Sequence, residues 1–438
     1  MEKTINRYVI TLVVLMAVFS VSCREDSDEV LYYSEWSIEN FEKANTSMEG
    51  QFKAFWTAMN SNYPIWDYEA EYGLDWDAVY EKYLLVFRNA DLKYKKDGVA
   101  MPDSVFEGIY EEIIAQLHDG HTTLNIANLH TGTIHTLSPS LYRIYKKDKW
   151  YDEYLFSPNT AFYESELVDE DKRIVESVIA FDTYQYALFN DNIVYLRMKD
   201  CNLPLYFDAK NADYDDENSV KARKVWTQWF ETVQALHNNR MLKGIIIDVR
   251  NNGGGFAEIS KYAFGALHNN RFLDINAYHR GYIRFKSGIG RFDYLPKVHF
   301  LWSLCEEKHA DITEPIIVLA NSITASAAEH ICLDAKQRPN ACVIGTNTMG
   351  AFAPLSTRDD SLYYMGHVGK KGITSFYMVI PSAAFMTDDG SIIEGKGVMP
   401  DIEIPLDFYM YSSSSRDNQL ECALAYIRKK STQVKYNE

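Results

Sequence analysis

Apolar positions along the chain fall into three successive textures. Across residues 40–117 they recur at helical spacing: Phe52, Phe55, Trp56 and Met59 share one helix face, and Val79, Tyr80, Tyr83, Leu84 and Phe87 share another. Asn62-Tyr63-Pro64 stops the first helix. Asp103, after Pro102, is placed to cap a third helix that carries Phe106, Ile109, Ile113 and Leu117. Residues 137–191 are rich in Tyr and β-branched residues with charged interruptions, and 142–151 and 173–181 read as strands. From 192 onward the texture becomes α/β. NIVYLRM at 192–198 reads as a strand, and 219–237 carries Trp226, Trp229, Phe230, Val233 and Leu236 on a helical period. GIIIDV at 244–249 is the continuous apolar run of a central parallel strand covered on both faces. Ile316–Ala320 with a helix from about Ala325, and then Ala341–Gly345, extend the alternation, which implies a mainly parallel sheet.

The first residues have a different logic. Lys3 and Arg7 precede an apolar stretch at 8–21, too short to span a bilayer comfortably, and Ser22-Cys23 follows. This resembles a bacterial lipoprotein signal, in which Cys23 becomes the lipidated first residue. A plain signal peptide with an incidental Cys is the alternative. Arg24 to Glu29 form a polar, acidic tether of disordered composition, similar to the export signals of Bacteroidetes surface lipoproteins. The expected organisation is therefore a signal at 1–22, a tether at 23–39, a helical domain at 40–136, a β-rich segment at 137–191 and an α/β core at 192–438.

Composition narrows the function classes. The 438 residues are 47% hydrophobic and 24% charged, which is globular. A net charge of −17 without a long basic run argues against nucleic acid and anionic membrane surfaces as partners, so membrane association is expected only through the anchor. Cys201, Cys305, Cys332, Cys342 and Cys422 make no CxxC pair and point to neither a zinc site nor a disulfide framework.

Three constellations carry chemistry. Asp248-Val249-Arg250-Asn251-Asn252-Gly253-Gly254-Gly255 ends the buried strand, where ligands of open α/β sheets bind and glycines let a backbone approach. Its spacing is neither GxGxxG nor GxxxxGK[ST], and a plain tight turn is the bland reading. Asn321 to Glu329 (NSITASAAE) places Ser326 at a helix N-terminus, as an ordinary N-cap or as a nucleophile beside the free amide of Ala327. His118-Asp119-Gly120-His121-Thr122-Thr123 brings two histidines together, with no further ligand nearby to make a metal site.

In their order, these segments resemble the C-terminal processing (tail-specific) peptidases, including the tricorn-core branch. IIIDVRNNGGG, VLANSITASAAE, the GTNTMG stretch at 345–350 and EGKGVMPD at 394–401 carry the likeness, with HDGHT upstream. The resemblance implies a crotonase- or ClpP-like fold of stacked ββα units, no cofactor and no metal. It puts the nucleophile on Ser326 and the oxyanion hole on the amide of Ala327 and a glycine amide of the triplet, Gly254 ahead of Gly253. The better-known branch uses a Ser–Lys dyad, but the lysine position here is Ala351, which cannot accept a proton. The tricorn-like branch implies His121 as the base and Glu394 as its acidic partner, by direct contact or by relay through Thr122 or Thr123, since Gly120 stands where that branch has a Ser. His330, Lys370, Lys371 and Lys396 are rival bases. Residues 137–191 are short for the PDZ domain of many relatives, so none is expected.

The resulting expectation is a secreted, lipid-anchored serine endopeptidase of the cell envelope acting on unfolded or flexible polypeptides. A non-catalytic carrier of an apolar ligand or peptide on the same scaffold is the alternative. A CoA-binding enzyme of crotonase type is a third reading, without any adenine or phosphate cradle in the chain to support it.

Overall fold

The computed structural model describes residues 45–139, 150–157, 174–179, 182–207, 216–268, 274–278, 280–284, 292–294, 298–301, 311–355, 363–364, 367–369, 374–381, 383–387 and 390–437. The signal and tether, Cys305, and Lys370 and Lys371 lie outside them.

Helices α1 (Met48–Asn62), α2 (Trp66–Glu71), α3 (Trp76–Asp97) and α4 (Asp103–Ile114) open the described chain. Ser47 and Asp75 cap α1 and α3 by accepting the amides of Gly50 and Ala78, and Gly98 ends α3 in the left-handed conformation. The apolar faces read from the periodicity are the buried ones: Phe52, Phe55, Trp56, Met59, Val79, Tyr83 and Phe87 share one core with Phe106, Ile113 and Leu117. Asp103 differs from expectation. It is the first helical residue, and its carboxylate accepts bonds from Asn128, Thr131 and Thr133 in the turn between two strands instead of capping α4. Its acceptor sites are filled there by closer donors.

Those strands are β1 (Thr123–Ala127) and β2 (Ile134–Leu137). Helix α5 (Trp150–Leu155) follows, so Trp150 and Tyr151 are helical where the sequence suggests a strand; residues 142–149 lie outside the described ones. Asn251 holds the carbonyls of Glu153 and Phe156 with its side-chain amide, which closes this turn against the core.

Strands β3 (Ile174–Ile179), β4 (Asp182–Leu188) and β5 (Ile193–Arg197), helix α6 (Glu217–Asn238), strands β6 (Gly244–Asp248) and β7 (Ile316–Ala320), helix α7 (Ala327–Lys336) and strand β8 (Ala341–Gly345) form the core. Strand β10 (Ile402–Glu403) and the terminal helix α8 (Asn418–Asn437) complete it, while strand β9 (Phe376–Val379) belongs to a second sheet. The main sheet has the order β10-β8-β7-β6-β5-β4-β3. β5, β6, β7, β8 and β10 run parallel, and β4 and β3 extend the sheet antiparallel. β5, β6 and β7 are buried along their whole length, as all-apolar central strands require. One face carries Trp229, Val233 and Ile331; the other carries Leu420, Leu424 and Ile427 of α8.

A second sheet has no local signature. β1 pairs antiparallel with β9, some 250 residues later, in register Thr123 with Val379. Phe376 and Met378 of β9 join the aromatic core of the first four helices. The segment carrying His121 is thereby pinned beside the parallel sheet.

Candidate active site

The carboxyl ends of β6, β7 and β8 deliver three loops to one place. Ser326 begins α7 with φ 54° and ψ −126°, a left-handed combination that costs a non-glycine residue about 1–3 kcal/mol. It is held there from two sides. Its own N–H donates to Glu329 Oε2 at 3.0 Å. Gly254, at φ 103°, lies so close that a Cβ on it would stand 2.5 Å from Ser326 Cβ and 3.1 Å from the Ala327 nitrogen. Only a glycine fits there. A strained, partly exposed Ser at a strand-to-helix turn suits a nucleophile, and the same Ser heads a capping box with Glu329.

Donor accounting separates the candidate oxyanion amides. The Gly254 N–H donates to Asn252 Oδ1 at 2.9 Å and is therefore occupied. The N–H groups of Gly253 and Ala327 donate to no described residue, and Ala327 is the first residue of α7, where the helix dipole favours negative charge. Asn252 fixes this loop, donating to Met198 O at 3.1 Å and receiving the Ala325 amide on its backbone carbonyl at 2.9 Å. Asn251 and Asn321 pair across the two loops at 2.6 Å.

Glu329 is the residue that sequence reasoning leaves without a role. Fully buried, it accepts from Ser326 N–H, Thr348 Oγ1 (2.6 Å), Gly350 N–H (2.8 Å) and Ala351 N–H (2.8 Å). Burial pushes its carboxyl up, against these four bonds. The signal was present: a Glu three residues after an N-cap Ser is the capping-box spacing, in which the Glu reaches back to the cap amide.

The HDGHT loop meets this assembly through Ala351. A Cβ on Gly120 would lie 2.1 Å from Ala351 Cβ, so the two residues are in direct backbone contact. His121 follows, partly exposed at its rim but with Nδ1 enclosed and bonded to no described residue. Burial lowers its imidazole to about 4, against the opposing charge of Asp119, and leaves it neutral at neutral pH. His330, one turn into α7, stacks on Phe352 at 4.2 Å, and burial with the neighbouring His121 lowers it to about 3.

Glu394 does not bond to the His121 ring. Its Oε1 accepts Gly120 N–H at 2.7 Å, and Oε2 accepts Phe352 N–H at 2.8 Å and Ala353 N–H at 2.5 Å. Burial, with the Asp119 charge, raises it to about 8 in spite of these bonds. Among the described residues neither Thr122 nor Thr123 bridges to it, and Thr122 Oγ1 is buried without a hydrogen bond. Lys396 is exposed, with its ammonium over the Tyr68 ring at 5.2 Å. The structure thus gathers Ser326, Ala327, Gly253, Gly254, His121 and Glu394 around Ala351 and Glu329, without a Ser–His or His–Glu hydrogen bond in the resting state.

Comparison with known proteins places this arrangement. The carboxy-terminal-processing protease of Bartonella bacilliformis is 26% identical over 234 residues, which are 53% of this chain and 43% of that protein, so the match spans less than half of the relative's length. A solved structure of a Parabacteroides merdae protein assigned as a candidate peptidase superposes with a TM-score of 0.55 at 20% identity, covering 87% of this chain and 97% of its own. Mature CPAF superposes with a TM-score of 0.51 at 12% identity, covering 89% and 97%. These two share the fold. The sequence profile of peptidase family S41 matches residues 192–404, from β5 to just past β10, and this α/β core is a member of that family.

Proposed function

We propose that the protein is a serine peptidase that cleaves unfolded or flexible polypeptides, using Ser326 as nucleophile and His121 as base. The observation that carries the reading is the strained Ser326 beside two unoccupied amides, Gly253 and Ala327. In the first step Ser326 Oγ attacks the peptide carbonyl, its proton passes to His121, and the carbonyl oxygen takes the negative charge between the two amides. His121 then protonates the leaving amine, and water releases the acyl group in a second round. Glu394 supports the base through the Gly120 peptide. The lipoprotein-like signal supports an anchored enzyme in the cell envelope, joined to the membrane through Cys23.

Hydrolysis of denatured casein by the chain lacking residues 1–29 tests the reading. Loss of nearly all activity in both Ser326→Ala and His121→Ala is the expected result. Activity lost only in Ser326→Ala would move the base elsewhere. The missing Ser–His and His–Glu bonds favour one rival, a carrier without catalysis. A wild-type chain inert on a broad panel of unfolded proteins would bring that rival forward.

A further inference from the structure

Asp119 is fully buried two residues before His121. Its Oδ1 accepts the N–H of His121 at 2.9 Å and of Thr122 at 2.5 Å, and its Oδ2 meets the Tyr63 hydroxyl at 2.9 Å. Tyr63 is itself fully buried, at the end of α1, and its hydroxyl also meets Glu69 Oε1 at 2.7 Å. Glu69, again buried, accepts the His118 N–H at 2.8 Å and lies 2.6 Å from His118 Nδ1. The His118 side chain is 30% exposed and stacks on Tyr72. A continuous chain of polar contacts, His118–Glu69–Tyr63–Asp119, therefore runs from the surface through the helical domain to the peptide of the base.

Tyr63 thereby ties the buried carboxyls of Glu69 and Asp119 to one hydroxyl, and burial with these two neighbours holds its phenol well above the usual range.

We propose that Asp119, clamped by Tyr63, is the positioning residue of His121. The proposal rests on His121 being the base of the Ser326 peptidase. Its carboxyl holds the His121 peptide and puts a negative neighbour beside the imidazolium formed as Ser326 gives up its proton. The Asp119 charge already opposes the burial that depresses His121. Glu394 holds the peptide of Gly120 and the amides of Phe352 and Ala353, whereas Asp119 holds the peptide of His121 itself. The titratable groups around the base are Asp119 and His118 on its own loop, His330 and Glu329 on α7, Glu394 from the turn before β10, and Tyr63 and Glu69 from the helical domain.

Two variants read this without removing the scaffold. Asp119→Asn keeps an acceptor for the two amides and removes the charge; Tyr63→Phe keeps the ring and removes the bridging hydroxyl. Steady-state cleavage of a fluorogenic polypeptide should show kcat down about tenfold or more for Asp119→Asn, with KM within about twofold, and a smaller loss for Tyr63→Phe. The His121 imidazole, followed by NMR, should titrate lower in Asp119→Asn than in wild type. Wild-type kcat in Asp119→Asn would overturn the positioning role, as would an unchanged His121 titration. A wild-type chain that cleaves nothing would sink the peptidase reading instead, while the His121 titration would still decide whether Asp119 acts on the ring.

Discussion

Gly120 and Ala351 occupy each other's side-chain space: a Cβ built on Gly120 falls 2.1 Å from Ala351 Cβ and 2.5 Å from its Cα. In this chain a long side chain at 351 would therefore have to displace the HDGHT loop that carries His121.

Gly120→Ala should therefore weaken the site without touching a reacting atom. Overpacking of this kind costs about 1–3 kcal/mol, read as a lowered midpoint in urea, and activity should fall with it. Ala351→Lys should not create a dyad in this chain; it should displace the loop and abolish cleavage. Retained or increased turnover in Ala351→Lys would show that the loop yields easily.

Glu329→Ala removes the acceptor for four donors at once. Each buried donor left unsatisfied costs about 1–3 kcal/mol, so the variant should lose several kcal/mol and release Ser326 from its strained backbone. Chemical denaturation measures the first effect, and reaction of Ser326 with a fluorophosphonate probe measures the second. A stable variant that labels at the wild-type rate would contradict the role assigned to this carboxylate.

Gly254→Ala tests the oxyanion side. The added methyl would stand 2.5 Å from Ser326 Cβ, on a backbone at φ 103° that side chains avoid. A kcat loss of about 100-fold or more, as for removal of an oxyanion donor, is expected, since the loop would have to move away from Ser326 and Ala327. Turnover within a few-fold of wild type would mean that the loop is not part of the site.

Buried ionisable groups also set a pH dependence of stability. His121 and His330 are lowered to about 4 and about 3 from 6.5, so the unfolded chain binds more protons below pH 6.5. Their contribution is complete above pH 6.5 and declines as the pH falls through that window. Glu394, raised to about 8 from 4.5, acts in the opposite sense: its contribution is complete below pH 4.5 and is lost as the pH rises toward 8. Two protons oppose one between pH 4.5 and 6.5, and Glu394 acts without the histidines above that. Thermal unfolding midpoints should thus be highest near pH 6–7 and decline toward pH 8.5. A midpoint still rising across pH 7 to 8.5 would count against the raised Glu394.

Helices and parallel strands were legible because their signals are local. The 3.6-residue recurrence of Phe52, Phe55, Trp56 and Met59, and the unbroken apolar run at 244–249, report burial on one face or on two without knowledge of what covers them. Motif order pointed to the family for the same reason. Asp103 shows the limit: a carboxylate at a helix start is a cap by local rule, but Asn128, Thr131 and Thr133, 25 to 30 residues away, bind it instead.

By itself, the sequence determined the α/β class, the helical domain before it, the family of the core and the identities of the candidate serine, histidine and glutamate. The tertiary structure alone decided how these groups meet. Glu394 reaches Gly120 across 274 positions, and β1 pairs with β9 across a similar interval. Which glycine amide is free, which carboxylate holds the Ser326 backbone and which acid stands beside His121 depend on the contacts that folding makes. Each donor is satisfied by whichever acceptor folding brings within about 3 Å, and no periodicity in the sequence encodes that distance.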